Sequence, residues 1–140
     1  MTDTVRRVDY FSIQVPDKPG EAFRVLQALV SAGINLLVCS ARQAGGRATI
    51  EVVPDDTALF NATAAGAELA FTPTKTGFLI QGEDRPGALA RYLQHLASAG
   101  INVAGIDAMG AGAGRWGAIL WVQPEDVARA ARALSAEEKK

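Results

Sequence analysis

Apolar and polar residues alternate in part along 8–15, and apolar residues fall at helical spacing along 19–33. The pattern predicts a strand over 8–15, then a helix opened by Pro19 whose apolar side is Phe23, Leu26, Leu29 and Val30. Gly33 is placed to end that helix. Segments 34–41 and 48–53 read as a hairpin about Gly45-Gly46, and Asp55-Asp56 set acidic side chains where a second helix begins. The same plan follows again. A strand over 77–81 leads to a helix over 86–99 with Leu89, Leu93 and Leu96 inward, strands over 101–109 and 116–122, and a helix over 124–134. Between the two sets, 68–72 reads as a fourth strand and Pro73-Thr74-Lys75-Thr76 as a short connector.

The recurrence is written in residues as well as in pattern. Asp17-Lys18-Pro19-Gly20 returns as Asp84-Arg85-Pro86-Gly87, and Ser31-Ala32-Gly33-Ile34-Asn35 returns unchanged as Ser98-Ala99-Gly100-Ile101-Asn102, at one constant offset. Self-similarity of this kind marks a duplicated module. Further on, Val53-Pro54-Asp55-Asp56 matches Gln123-Pro124-Glu125-Asp126 with the offset enlarged, and the extra length is expected in the loop Gly110-Ala111-Gly112-Ala113-Gly114. The expected class is α+β: two ferredoxin-like βαββαβ modules in tandem, over 6–73 and 76–135. The tail after Leu134 is too short and polar for a last strand, so the second module either lacks that strand or takes it from elsewhere.

Composition narrows the function classes. A net charge of −1 without a Lys/Arg run argues against nucleic acid. No apolar run reaches the roughly 20 residues of a membrane span, and the start has no apolar leader segment, so a soluble cytoplasmic protein is expected. Cys39 is the single cysteine, which excludes an intrachain disulfide and any Cys-rich metal site, and it reads as a small buried hydrophobe within a strand. His95 reads as a surface residue without metal-ligand company. Gly110–Gly114 joins two strands, where a dinucleotide loop must join a strand to a helix, so no cofactor is expected. Trp121 is expected in the core or under the helices, and Trp116 at a pocket rim or interface. One His and one Cys in separate copies assemble no nucleophile and base, so no catalytic residue is assigned.

The pattern of strand, Asp-(Lys/Arg)-Pro-Gly, then a helix ending in Ala-Gly-Ile-Asn resembles the ACT domain, twice over, across nearly the whole chain. The resemblance implies a stand-alone regulator that binds an amino acid where two ACT units pair, acts on a partner enzyme or pathway, and forms a homodimer. It maps ligand contact onto Asp17, Lys18, Pro19 and Gly20 with Asn35 and Leu36, and onto Asp84, Arg85, Pro86 and Gly87 with Asn102 and Val103. A structural pairing module without ligand, and a regulatory subunit of an amino-acid biosynthetic enzyme, are the alternatives.

Physical chemistry allows the assignment. Bare N–H groups at a helix start accept a carboxylate, Gly20 and Gly87 let a ligand approach the backbone, Asp17 and Asp84 suit an ammonium group, and Asn35 and Asn102 offer a donor and an acceptor. The same Asp residues also read as plain helix N-caps, and the same Asn residues as partners for loose backbone groups. The residues before the loops differ, Val15-Pro16 against Gly82-Glu83, so the two sites are expected to be unequal.

Overall fold

The computed structural model describes residues 3–136. Along the chain run β1 (Thr4–Pro16), α1 (Glu21–Ser31), β2 (Leu36–Ala44), β3 (Arg47–Pro54), α2 (Thr57–Gly66), β4 (Thr72–Glu83), α3 (Ala88–Ser98), β5 (Val103–Gly112), β6 (Arg115–Val122), a 3-10 turn (Pro124–Asp126) and α4 (Val127–Leu134). They form two compact α+β units: a first of residues 9–74, and a second of residues 3–8 with 75–136.

In the first unit the strand order is β2-β3-β1, with the start of β4 beyond β1. The partners are antiparallel: Phe11 faces Val52, and Ala44 faces Arg47. Alternation sends Phe11, Ile13 and Val15 of β1 with Ile50 and Val52 of β3 to one face, where Val25 and Leu29 of α1 and Phe60 of α2 close the core. The Phe60 ring stands 4.8 Å from that of Phe11 and 5.0 Å from that of Phe71. Helix α1 ends in a Schellman turn: Ile34 N–H donates to the Leu29 carbonyl (3.0 Å) and Gly33 N–H to that of Val30 (2.9 Å), with Gly33 at φ 77°. A side chain at that left-handed position would be strained, which is why the Ala-Gly-Ile motif stands at this junction.

The second unit repeats the design, with Ile101 N–H on the Leu96 carbonyl (2.9 Å) and Gly100 at φ 72°. Its order is β4-β6-β5, and β1 lies on the free side of β4. Residues 4–8 of β1 take the fourth-strand place of this unit, and Val5 is buried with Phe78, Ile80, Tyr92, Leu96, Leu120 and Leu134. The last strand is therefore replaced by part of β1. Likewise 68–72 and 77–81 are not two strands across a connector: β4 runs unbroken from Thr72 to Glu83, with Pro73 next to its first residue.

Other expectations are corrected. Pro19 and Pro86 lie before their helices, which begin after Gly20 and Gly87. Phe23 and Val30 are exposed, at 69% and 63%, while Leu29 points inward as expected, joined by Val25, with Leu26 packed against the same core. In α3 the inward residues are Ala88, Tyr92 and Leu96, while Leu89 and Leu93 are only half-buried. The enlarged offset is split: β5 bulges between Gly110 and Gly112, and the remainder lies in the 3-10 turn before α4. Cys39 is exposed. Trp121 is half-buried outside the core cluster, covered by Lys75 at 3.9 Å from its ring.

A Cβ on Gly105 would overlap the Trp121 indole. Gly105→Ala is therefore expected to cost about 1–3 kcal/mol through displacement of that ring, read from urea unfolding followed by Trp fluorescence.

Candidate functional site

The second unit carries an open cavity of about 480 Å³ where β4 meets α3. That size falls in the range of about 300–1,000 Å³ usual for small-molecule sites. Asp84, Arg85 and Gly87 of the junction form one side, Leu89 and Leu93 of α3 another, and Ala108, Met109 and Gly110 of β5 with Trp116 of β6 the rest. Asp84 N–H donates to the Gly114 carbonyl (2.8 Å), which ties the junction to the hairpin tip. Gly87 precedes α3 in the left-handed region at φ 83°, and no side chain caps the helix. The first-turn amides of α3 thus open on this side with the positive end of the helix dipole, beside apolar walls.

The first unit has the same backbone. Asp17 N–H donates to the Gly46 carbonyl (3.1 Å), and Gly20 stands at φ 90° before an uncapped α1. Neither Asp17 nor Asp84 caps its helix. The units differ in what faces the Asp. Gln43 of β2 donates its amide to the Asp17 carboxylate. The matching residue on β5 is Gly110, where a Cβ would stand 3.4 Å from Asp84 Oδ2. The first loop is thus bridged by its own chain, whereas the second faces open space. The walls differ as well: Ala22, Arg42 and Ala48 occupy the first-unit positions of Leu89, Met109 and Trp116.

Within each unit the Asn residues stand apart from the loops. Asn35 is exposed after the C-terminus of α1, and its carbonyl accepts from Asp55 N–H (2.9 Å). Asn102, also exposed, follows α3 in the same way, with Leu36 and Val103 half-buried at the strand starts. A helix of 11 residues separates loop from Asn in both units, a length of about 16 Å. Lys18, Pro19 and Pro86 are exposed.

Sequence reasoning missed a second feature of the junction. Asp3, whose side chain is 5% exposed, accepts from Tyr92 Oη at 2.7 Å, from Arg91 Nη2 at 3.2 Å and from Arg85 Nη2 at 3.5 Å. It lies over Gly82, where a Cβ would overlap its carboxylate. Burial pushes the Asp3 carboxyl upward, but the Tyr92 hydroxyl, Arg85 and the Glu83 backbone N–H together outweigh it, and the net value lies below the ordinary 3.8. Burial, and then the bond to Asp3, push the Tyr92 phenol above its usual 10.0. The first unit has Val15, Lys18 and Val25 where the second has Gly82, Arg85 and Tyr92. That exchange was the available signal, because a small residue opposite a large one makes room for a third group.

Among the described residues no cluster of three or more His, Cys, Asp or Glu is placed to hold a metal, and no helix is long and apolar enough to cross a membrane. No protein-family model and no curated protein matches the chain. Solved structures do resemble it. A crystal structure of a Bacteroides thetaiotaomicron protein aligns with TM-score 0.76 and 19% identity, over 95% of this chain and 88% of that one. The regulatory subunit of aspartate kinase from Thermus thermophilus aligns with TM-score 0.62 and 22% identity, over 96% and 95%. The corresponding subunit from Thermus flavus gives TM-score 0.58 and 20% identity, over 96% and 94%. At these identities the likeness establishes the fold.

The Asp3 site sets a pH dependence. A carboxylate whose folded value lies below 3.8 stabilises fully above that value and loses its contribution as pH falls through the folded value. Acid unfolding of the wild type is expected to steepen below about pH 4, and Asp3→Asn to flatten that limb, as followed by circular dichroism. Equal acid limbs for the two proteins would contradict the assignment.

Proposed function

We propose that this chain is a non-catalytic regulator built from two ACT modules, and that it binds one small zwitterion, an amino acid, in the second unit. The observation that carries the reading is the contrast at the two Asp-X-Pro-Gly junctions: Gln43 bridges to Asp17 in the first, and Gly110 leaves a cavity before Asp84 in the second. In this reading the first-turn amides of α3 take the ligand carboxylate, Asp84 takes its ammonium group, and Leu89, Leu93, Met109 and Trp116 take an apolar side chain. Lys18, Pro19, Gly20 and Arg85, Pro86, Gly87 shape the two junctions.

Asn35 with Leu36, and Asn102 with Val103, stand a helix length from the loop of their own unit. They serve a ligand only from a neighbouring module, which favours a homodimer whose pairing completes the site. The ligand then acts by preferring one pairing over another, and a partner enzyme senses that preference. The regulatory subunits of aspartate kinase among the structural neighbours support this role through shared fold. Micromolar to millimolar sensing requires only about −8 to −4 kcal/mol, within reach of a few hydrogen bonds and one apolar wall.

Titration calorimetry with the twenty amino acids is expected to find one that binds at one site per chain, and thermal unfolding to rise by several degrees at saturation, since a ligand at about a hundred times its Kd adds about 2.7 kcal/mol. Gly110→Gln, which copies the first unit's bridge, is expected to weaken binding by about tenfold or more, the worth of about 1.4 kcal/mol. Two equal sites per chain would overturn the inequality, and the absence of any shift would leave a pairing module without ligand.

A further inference from the structure

Arg85 lines the cavity, yet its guanidinium is spent elsewhere: Nη1 donates to the Glu83 carbonyl at 3.1 Å and Nη2 to Asp3 at 3.5 Å. Asp3 is held in a receptor for one carboxylate, made of Tyr92 Oη, Arg91 Nη2 and Arg85 above a residue without a side chain, Gly82. Its side chain is 5% exposed, while those of Arg85 and Arg91 are 41% and 51% exposed, so the anion is enclosed and the cations remain reachable. The group that fills the receptor begins the strand that completes the second unit's sheet. The first unit offers no such receptor, because Val15 and Val25 stand at the positions of Gly82 and Tyr92.

We infer that Asp3 is a tethered carboxylate that withholds Arg85 from carboxylates arriving at the cavity, so that seating of the N-terminal strand and engagement of Arg85 by an outside anion are alternatives. The chemistry is an exchange of one carboxylate for another on a single guanidinium, with no net change in the number of ion pairs. An arriving carboxylate that wins Arg85 leaves Asp3 on Arg91 and Tyr92 alone and loosens residues 4–8. Asp3 is thereby a positioning residue, acting through Arg85. Its link to a natural ligand rests on the cavity reading given above; the withholding of Arg85 does not.

Phenylglyoxal modification of Arg85, followed by peptide mass spectrometry on the full chain, tests the inference without knowledge of that ligand. Arg24, paired with Glu21 in the first unit, serves as the internal reference. Asp3→Asn is expected to speed modification of Arg85 about three- to fivefold relative to Arg24, the scale of a partly exposed ion pair. Acetate is expected to slow the reaction at Arg85 in Asp3→Asn and not in the wild type, and Asp3→Glu to restore slow modification in part. Amide exchange over residues 4–8 should quicken in the same variant. If Asp3→Asn does not fold, Tyr92→Phe, which removes one donor to Asp3 and keeps the ring, is expected to shift Arg85 reactivity in the same direction. An unchanged Arg85 rate in a folded variant overturns the inference. Failure of every amino acid to bind the wild type, with Arg85 nevertheless released in Asp3→Asn, overturns only the ligand reading.

Discussion

A three-stranded sheet leaves a row of backbone donors and acceptors open on its free side, and the second unit is built around closing one such row. The side of β4 left bare by β6 is covered by residues 4–8 of β1, which lie far from it in sequence. Strand β1 can serve because it carries apolar side chains into both cores. Val5 feeds one core, and Phe11, Ile13 and Val15 feed the other, all from odd positions. A slip of one residue would turn every one of them to the wrong face, so the register is fixed by two cores at once. Strand β4 is shared in the same manner, with Thr72–Thr74 in the first unit and the remainder in the second.

On this common frame the two copies differ by a few exchanges of volume. Val15 and Val25 become Gly82 and Tyr92, which moves bulk from strand to helix and leaves room above the strand for a carboxylate. Gln43 becomes Gly110, and Ala48 becomes Trp116, which removes a bridge from one wall and raises another. Backbone geometry at the junctions hardly changes, as the paired bonds of Asp17 and Asp84 to Gly46 and Gly114 attest. The two units keep one scaffold, and side-chain size decides which junction is open.

Most of the scaffold was legible in the sequence because it is local. The Ala-Gly-Ile motifs specify Schellman turns whatever surrounds them, and the Asp-X-Pro-Gly motifs mark the strand-to-helix junctions. What could not be read was what depends on distant chain. Pro73 suggested a break in a segment that is one strand, since nothing nearby reveals that it stands next to that strand's first residue. Phe23, Leu26, Leu29 and Val30 fit a helical stripe, but spacing does not fix its centre, which falls on Val25 and Leu29 and leaves Phe23 and Val30 at exposed margins. Asp3 looked like part of an unremarkable polar start; its partners lie more than eighty positions away, as Tyr92 and Arg91 show. The junction residues were all named beforehand, whereas the cavity walls Ala108, Met109 and Gly110 belong to a strand whose register emerges only on pairing.

The shared strand also dictates an order of events at birth. Residues 9–74 are a contiguous stretch that holds nearly all of the first core, so that core can gather as soon as the stretch leaves the ribosome. Residues 4–8, by contrast, belong to a core whose other members lie between Phe78 and Leu134. That segment cannot pair until β4 has emerged behind it. A segment made early is thus enclosed late, by closing a loop that contains the whole of the first unit.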